Sequence, residues 1–100
     1  MCGATVGGLS TEGIDVSRET VIQGIVTRGE GPVAGAYVRL LDDRDDFTAE
    51  VQTSATGNFR FFAAPGAWTL RALAGGGALG ESSLTAETGI NEVDVKVSSV

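Results

Sequence analysis

The chain reads as an all-β protein: an antiparallel Greek-key β-sandwich of about seven strands. Three observations predict this. From Glu19 onward, apolar and polar residues alternate with a period of two. Gly, Pro, Asn and Asp interrupt that alternation every few residues, and no segment carries the 3.6-residue period of an amphipathic helix. One hundred residues, 42% of them hydrophobic, build one modest core and not two.

The elements follow in order. Residues 1–18 are rich in Gly, Ser and Thr, with isolated apolar residues at Leu9, Ile14 and Val16, and read as a flexible arm before a domain of residues 19–100. The strand in ETVIQGIVTRG places Ile22, Gly24 and Val26 on one face and Gln23, Ile25 and Thr27 on the other. EGPVAG is a turn by its glycines and proline. AYVRLLD sets Ala36, Val38 and Leu40 inward, with Tyr37, Arg39 and Leu41 outward. After the acidic loop DDRDD, FTAEVQTS puts Phe47, Ala49 and Val51 on one face. Residues 58–63 and 67–73 read as a strand pair about the Pro65-Gly66 turn. Phe59 and Phe61 point inward, Trp68 and Leu70 meet them from the next strand, and Phe62 is left outside. GGGALGESSLTAETG is a loop with a short strand around Leu79 to Leu84. In INEVDVKVS, Val93, Val95 and Val97 alternate with Asp94 and Lys96.

Composition excludes several activities. Thirteen acidic and seven basic residues give a net charge of −6, which argues against nucleic acid and against an anionic membrane surface. The N-terminus has neither the basic nor the apolar region of a secretory signal, and no run reaches the eighteen apolar residues of a membrane span. A single cysteine forms no internal disulfide, so a cytoplasmic location is expected. The chain has no histidine, which removes Ser-His-Asp and Cys-His nucleophile activation and most zinc and copper sites. Glu50, Glu81, Glu87 and Glu92 form no recognisable acid–base pair. Gly75, Gly76 and Gly77 with Gly80 lack the Lys-Ser/Thr and the helix of a phosphate loop. No catalytic residue and no cofactor are expected.

An ordered series of motifs carries a resemblance. Ile22-x-Gly24-x-Val26 is followed by G-x-V-x-G-A-x-V-x-L from Gly31 to Leu40, T-G-N-F-R-F from Thr56 to Phe61, and P-G-x-W-T-L from Pro65 to Leu70. The series is similar to the carboxypeptidase regulatory-like domain, which implies a transthyretin (prealbumin)-like seven-stranded sandwich over roughly residues 20–98. More narrowly, the MCG start, the ETVIQG strand and the FTAEV…SATGNFRFFAAPG…WTLRAL run resemble a small single-domain bacterial family of unknown function. Genes of that family commonly sit beside a thiosulfate sulfurtransferase, which implies a sulfur-metabolism accessory with that enzyme as partner. The hydroxyisourate hydrolase and intradiol dioxygenases of transthyretin-like folds use histidine, so neither activity carries over. Related adhesin domains form a Lys–Asn crosslink from a lysine on the first strand. Here the only lysine, Lys96, lies on the last.

Three sets of residues are candidates for function. Cys2, on the arm, is either an incidental terminal thiol or a persulfide carrier loaded by the sulfurtransferase, although no cationic neighbour promotes its thiolate. Asp42, Asp43, Asp45 and Asp46 offer oxygen ligands to calcium. They lack the spacing and glycine of an EF-hand, and Arg44 partly neutralises them, so a solvated hairpin loop is the plainer reading. Ile25, Tyr37, Leu41 and Phe62, with Arg39, Arg60 and Arg71, would form an apolar patch ringed by arginines if their strands share a sheet. Such a patch suits a homodimer or a protein partner; the open sheet edges are the alternative route to pairing. The favoured function is a non-enzymatic interaction domain. A sulfur carrier is the runner-up, and a sugar-binding sandwich the third reading.

Overall fold

The structure, a computed structural model, describes residues 12–98. It is all-β, with two sheets packed as a sandwich. Cys2 and Leu9 lie outside the described residues. Of the expected arm, residues 12–18 form turns in which the N–H groups of Arg18 and Glu19 donate to Asp15 O. The first strand, β1 (Thr20–Arg28), leads into a two-residue turn and the short β2 (Gly31–Pro32). Then come β3 (Tyr37–Leu41), β4 (Phe47–Gln52), β5 (Asn58–Phe62) and β6 (Gly66–Leu73). A turn of 3-10 helix at Gly75–Gly77 precedes β7 (Leu79–Ala86), β8 (Gly89–Glu92) and β9 (Val95–Lys96). The segment EGPVAG is therefore more than a turn. Its Gly31 and Pro32 pair with Arg28 and Thr27 at a sheet edge, where the missing proline N–H is harmless.

One sheet has the order β4-β3-β6-β7 and is antiparallel throughout. The other is built on β1, flanked by β5 and β2 on antiparallel ladders and by β8 and β9 on parallel ones. The closing ladder is thus parallel, where an all-antiparallel sandwich was expected, because the last strand returns in the direction of the first. β8 and β9 are two halves of one strand: Thr20 pairs with Gly89 and Val26 with Val95, the same offset. Between them, Asp94 Oδ1 accepts from Ile25 N at 3.2 Å in place of a backbone carbonyl. The Val93 carbonyl turns in beneath Gly24, whose missing Cβ leaves room for it.

The inward faces interlock as the alternation requires. Ile22, Val26, Val38, Leu40, Phe59, Phe61, Leu70 and Ala72 form one buried cluster, which Val95 and Val97 complete. Phe59 and Phe61 meet at 6.1 Å between ring centroids, and Trp68 packs against the cluster with its Nε1–H donating to Ala64 O. The strands around Pro65-Gly66 do not pair with each other. β5 pairs with β1 and β6 with β3 and β7, so the turn carries the chain from one sheet to the other. Their aromatic side chains belong to opposite walls of the core.

One face assignment fails for a definable reason. Leu40 pairs with Ala49 but Leu41 pairs with Phe47, so Thr48 is an extra residue in β4. This bulge turns Phe47 to the outside, where it is exposed, while Ala49 and Val51 remain against the core.

The sandwich closes tightly along one side. Gly80 and Ser82, on the inner face of β7, meet the backbone of the last strand. Ser82 Oγ donates to Asp94 O, and a Cβ on Gly80 would lie 2.0 Å from Lys96 O. Gly80 is therefore a strand residue that admits the opposing sheet. Leu79 and Ser98 add a reciprocal pair of 3.0 Å hydrogen bonds.

Candidate functional site

The two sheets divide the expected arginine-ringed patch between opposite sides of the molecule. Ile25, Arg60 and Phe62 belong to the β1 sheet, and Tyr37, Arg39, Leu41 and Arg71 to the four-stranded one. No single surface holds all seven.

On the outer face of the β1 sheet, Gln23 is buried where the alternation expected an exposed residue. It sits at paired register between Arg60 on β5 and Glu92 on β8. Arg60 Nε donates to Gln23 Oε1 at 2.9 Å, and Gln23 Nε2 donates to Glu92 Oε2 at 2.9 Å. The amide thus relays between a cation and an anion across three strands, and both of its ends are satisfied. Half-buried Arg60 is part of this ladder, and Ile25 is also half-buried, so neither is a free surface group. Phe62 remains exposed beside buried Val21. Sequence reasoning missed Gln23; a lone polar residue within the apolar run VIQGIV was the available signal.

The outer face of the four-stranded sheet is organised in rows that cross the strands. Tyr37, Leu73 and Leu79 occupy successive paired positions on β3, β6 and β7, and are 49%, 46% and 48% exposed. The next row, two residues along, reads Glu50, Arg39, Arg71, Glu81 across β4, β3, β6 and β7. Arg39 Nε donates to Glu50 Oε2 at 3.1 Å, and Arg71 donates to Glu81 Oε2 through Nε and Nη2 at 3.0 and 2.8 Å. The third row is Phe47, Leu41, Thr69 and Ser83. Here Leu41 is a correction: it points to the outer side yet is only 4% exposed, set between Phe47 and Thr69 at its paired registers. Phe47 in turn lies 5.8 Å below the Arg39 guanidinium, a cation–π contact. Leu73 and Leu79, absent from the expected patch, complete the apolar row. Only the strand order brings them beside Tyr37.

The six side chains Tyr37, Arg39, Glu50, Arg71, Leu73 and Leu79 line a shallow groove of about 410 Å³. It presents exposed apolar carbon beside paired charges, and nothing in it resembles a nucleophile with a base.

The acidic loop is closed by its own first residue. Asp42 Oδ1 accepts from Arg44 N and Asp46 N, both at 2.9 Å, and closes the turn from β3 to β4. Among the described residues, no group of three or more His, Cys, Asp or Glu is placed to hold a metal ion. The Asp46 and Arg44 N–H groups, with a smaller contribution from the Arg44 charge, hold the Asp42 carboxyl below its ordinary range. A lowered folded-state pKa stabilises the fold above the unfolded pKa, and that contribution fades as pH falls through the folded value. Asp42→Asn should therefore be less stable than wild type at neutral pH, with the gap closing below about pH 4. Urea unfolding of both proteins across that range checks this; a gap independent of pH would refute it.

Residues 2–97 match the model of a family described as "Protein of unknown function (DUF1416)". The chain belongs to the DUF1416 family. An uncharacterized protein of Mycobacterium tuberculosis is 54% identical over 99 residues, covering 97% of this chain and 99% of its own. An uncharacterized protein of Mycolicibacterium smegmatis is 58% identical over 86 residues, 85% of this chain and 96% of its own. Among solved structures, a DUF3823 family protein from Parabacteroides merdae superposes with a TM-score of 0.66 at 17% identity. The match covers 81% of this chain and only 46% of that protein. The dioxygenase domain of a dioxygenase–carbohydrate-binding fusion from Streptomyces sp. SirexAA-E gives 0.61 at 13% identity, covering 80% and 79%. The minor pilin of Streptococcus agalactiae gives 0.62 at 14%, covering 82% and 46%. At these identities the likeness is one of β-sandwich fold alone. Among the described residues of this DUF1416 chain, no helix is long and apolar enough to cross a membrane.

Proposed function

We propose that the chain is a non-enzymatic interaction domain that docks a protein partner on the outer face of the β4-β3-β6-β7 sheet. One observation carries this reading: Tyr37, Leu73 and Leu79 are large, half-exposed and adjacent, and a row of ion pairs borders them. An apolar strip rimmed by charge and containing Tyr and Arg has the composition of a protein interface. The absence of histidine supports a non-catalytic role. The resemblance to a family whose genes accompany a thiosulfate sulfurtransferase makes that enzyme the first partner to test.

The experiment is affinity capture of the tagged chain from its native host, beside Leu73→Glu. Leu73 is exposed, so the variant should keep its thermal midpoint within a few degrees. Partner recovery should fall at least about tenfold, the effect of replacing an apolar contact by a charged side chain. Equal recovery by both proteins would remove this face from the function.

A further inference from the structure

Resting on that docking reading, the geometry points to what the partner presents. We propose that it is an extended protein segment with an acidic side chain two residues from an apolar one. The carboxylate is received between Arg39 and Arg71, and the apolar side chain lies on Tyr37, Leu73 and Leu79.

Arg39 and Arg71 are directly paired across β3 and β6, so two like charges stand side by side at the centre of the face. Unrelieved, such a pair is destabilising. Relief among the described residues comes from the flanks: Glu50 engages Arg39 through Nε, the Phe47 ring lies under the Arg39 guanidinium, and Glu81 engages Arg71 through Nε and Nη2. Both Nη groups of Arg39 and Nη1 of Arg71 have no acceptor among the described residues. A carboxylate set over the midline meets these N–H groups, and each hydrogen bond it accepts from them is charge-assisted, roughly twice as strong as a neutral one.

The spacing selects the shape of the occupant. The apolar row stands two residues from the arginine row on all three strands: 37 to 39, 73 to 71 and 79 to 81. Two strand residues span about 6.8 Å, the distance between side chains i and i+2 of any extended peptide. A segment laid within about 30° of the strands, as in stacked sheets, therefore sets an apolar residue on one row and an acidic residue on the other. A second copy of this chain fits less well. A two-fold axis along the β3–β6 midline opposes Arg39 to Arg71 and Glu50 to Glu81, like charge against like.

The test titrates the ¹⁵N-labelled chain with the blocked pentapeptide acetyl-Thr-Leu-Thr-Glu-Thr-amide and with its Gln counterpart. Amide shifts should concentrate at Tyr37, Arg39, Arg71, Leu73 and Leu79 at millimolar peptide. The Gln peptide, or the Arg71→Gln protein, should bind about tenfold more weakly. Equal binding of the two peptides on this face overturns the carboxylate inference and leaves the docking surface standing. No shift on this face up to about 10 mM peptide overturns it as well. A dimer seen by ultracentrifugation and abolished by Leu73→Glu would give the face to a second copy and overturn it too. Failure of the docking reading is read separately, from capture by Leu73→Glu.

Discussion

Gly24→Ala is expected to lose on the order of 4 kcal/mol or more, lowering the thermal midpoint by roughly 20 °C or removing the cooperative transition altogether. A Cβ at this position would lie 1.7 Å from the Val93 carbonyl oxygen and 2.6 Å from its carbon. Both are backbone atoms, so no side-chain rotation relieves the clash; β8 and β9 would have to leave β1. Small overpacking of a core costs about 1–3 kcal/mol, and a backbone collision in the middle of a central strand exceeds that range. Gly31→Ala is the control, because nothing lies within 4 Å of its added Cβ. It should stay within about 0.5 kcal/mol of wild type. Thermal and urea denaturation by circular dichroism measure both. A Gly24→Ala protein within about 1 kcal/mol of wild type would show that β1 and the last strand are not packed as described.

Gly80→Ala is the second large effect, about 3 kcal/mol or more, and its signature differs. Its Cβ would lie 2.0 Å from Lys96 O and 3.1 Å from Val97 Cα. The collision is between sheets, so the variant should loosen the closed side of the sandwich before it unfolds the whole. Hydrogen exchange reads this directly. The N–H groups of Val97, bonded to Thr27 O, and of Ser98, bonded to Leu79 O, should lose protection ahead of those in the β3–β6 ladder. Uniform loss across both sheets would refute the local account.

Much of the fold was legible because inward positions follow a strict period of two. Ile22, Val38, Leu40, Phe59, Phe61 and Leu70 were placed correctly by alternation alone. Phe47 was not, because a single inserted residue, Thr48, reverses the faces and leaves no mark in hydropathy. Burial of Leu41 and Gln23 depends on what stands at their paired registers, which is a property of strand order. For the same reason, Arg60 and Phe62 could not be separated from Arg39 and Arg71 before it was known that β5 leaves for the opposite sheet. The rows Tyr37–Leu73–Leu79 and Glu50–Arg39–Arg71–Glu81 join residues up to 42 positions apart, and each exists only through pairing register.

The parallel ladder between β1 and β8–β9 has a consequence for the making of the protein. Its partners are separated by 69 residues, so β1 waits for β8 and β9 before its second edge is satisfied. Until then β1 presents free N–H and C=O groups along an apolar strand, the surface on which unfinished chains aggregate. Pairings this distant in sequence also slow folding, since the loop must close before the contacts reward it. Nascent chains that stop short of Val95 therefore hold a half-built sheet, and β8 and β9 act as the clasp that ends its exposure.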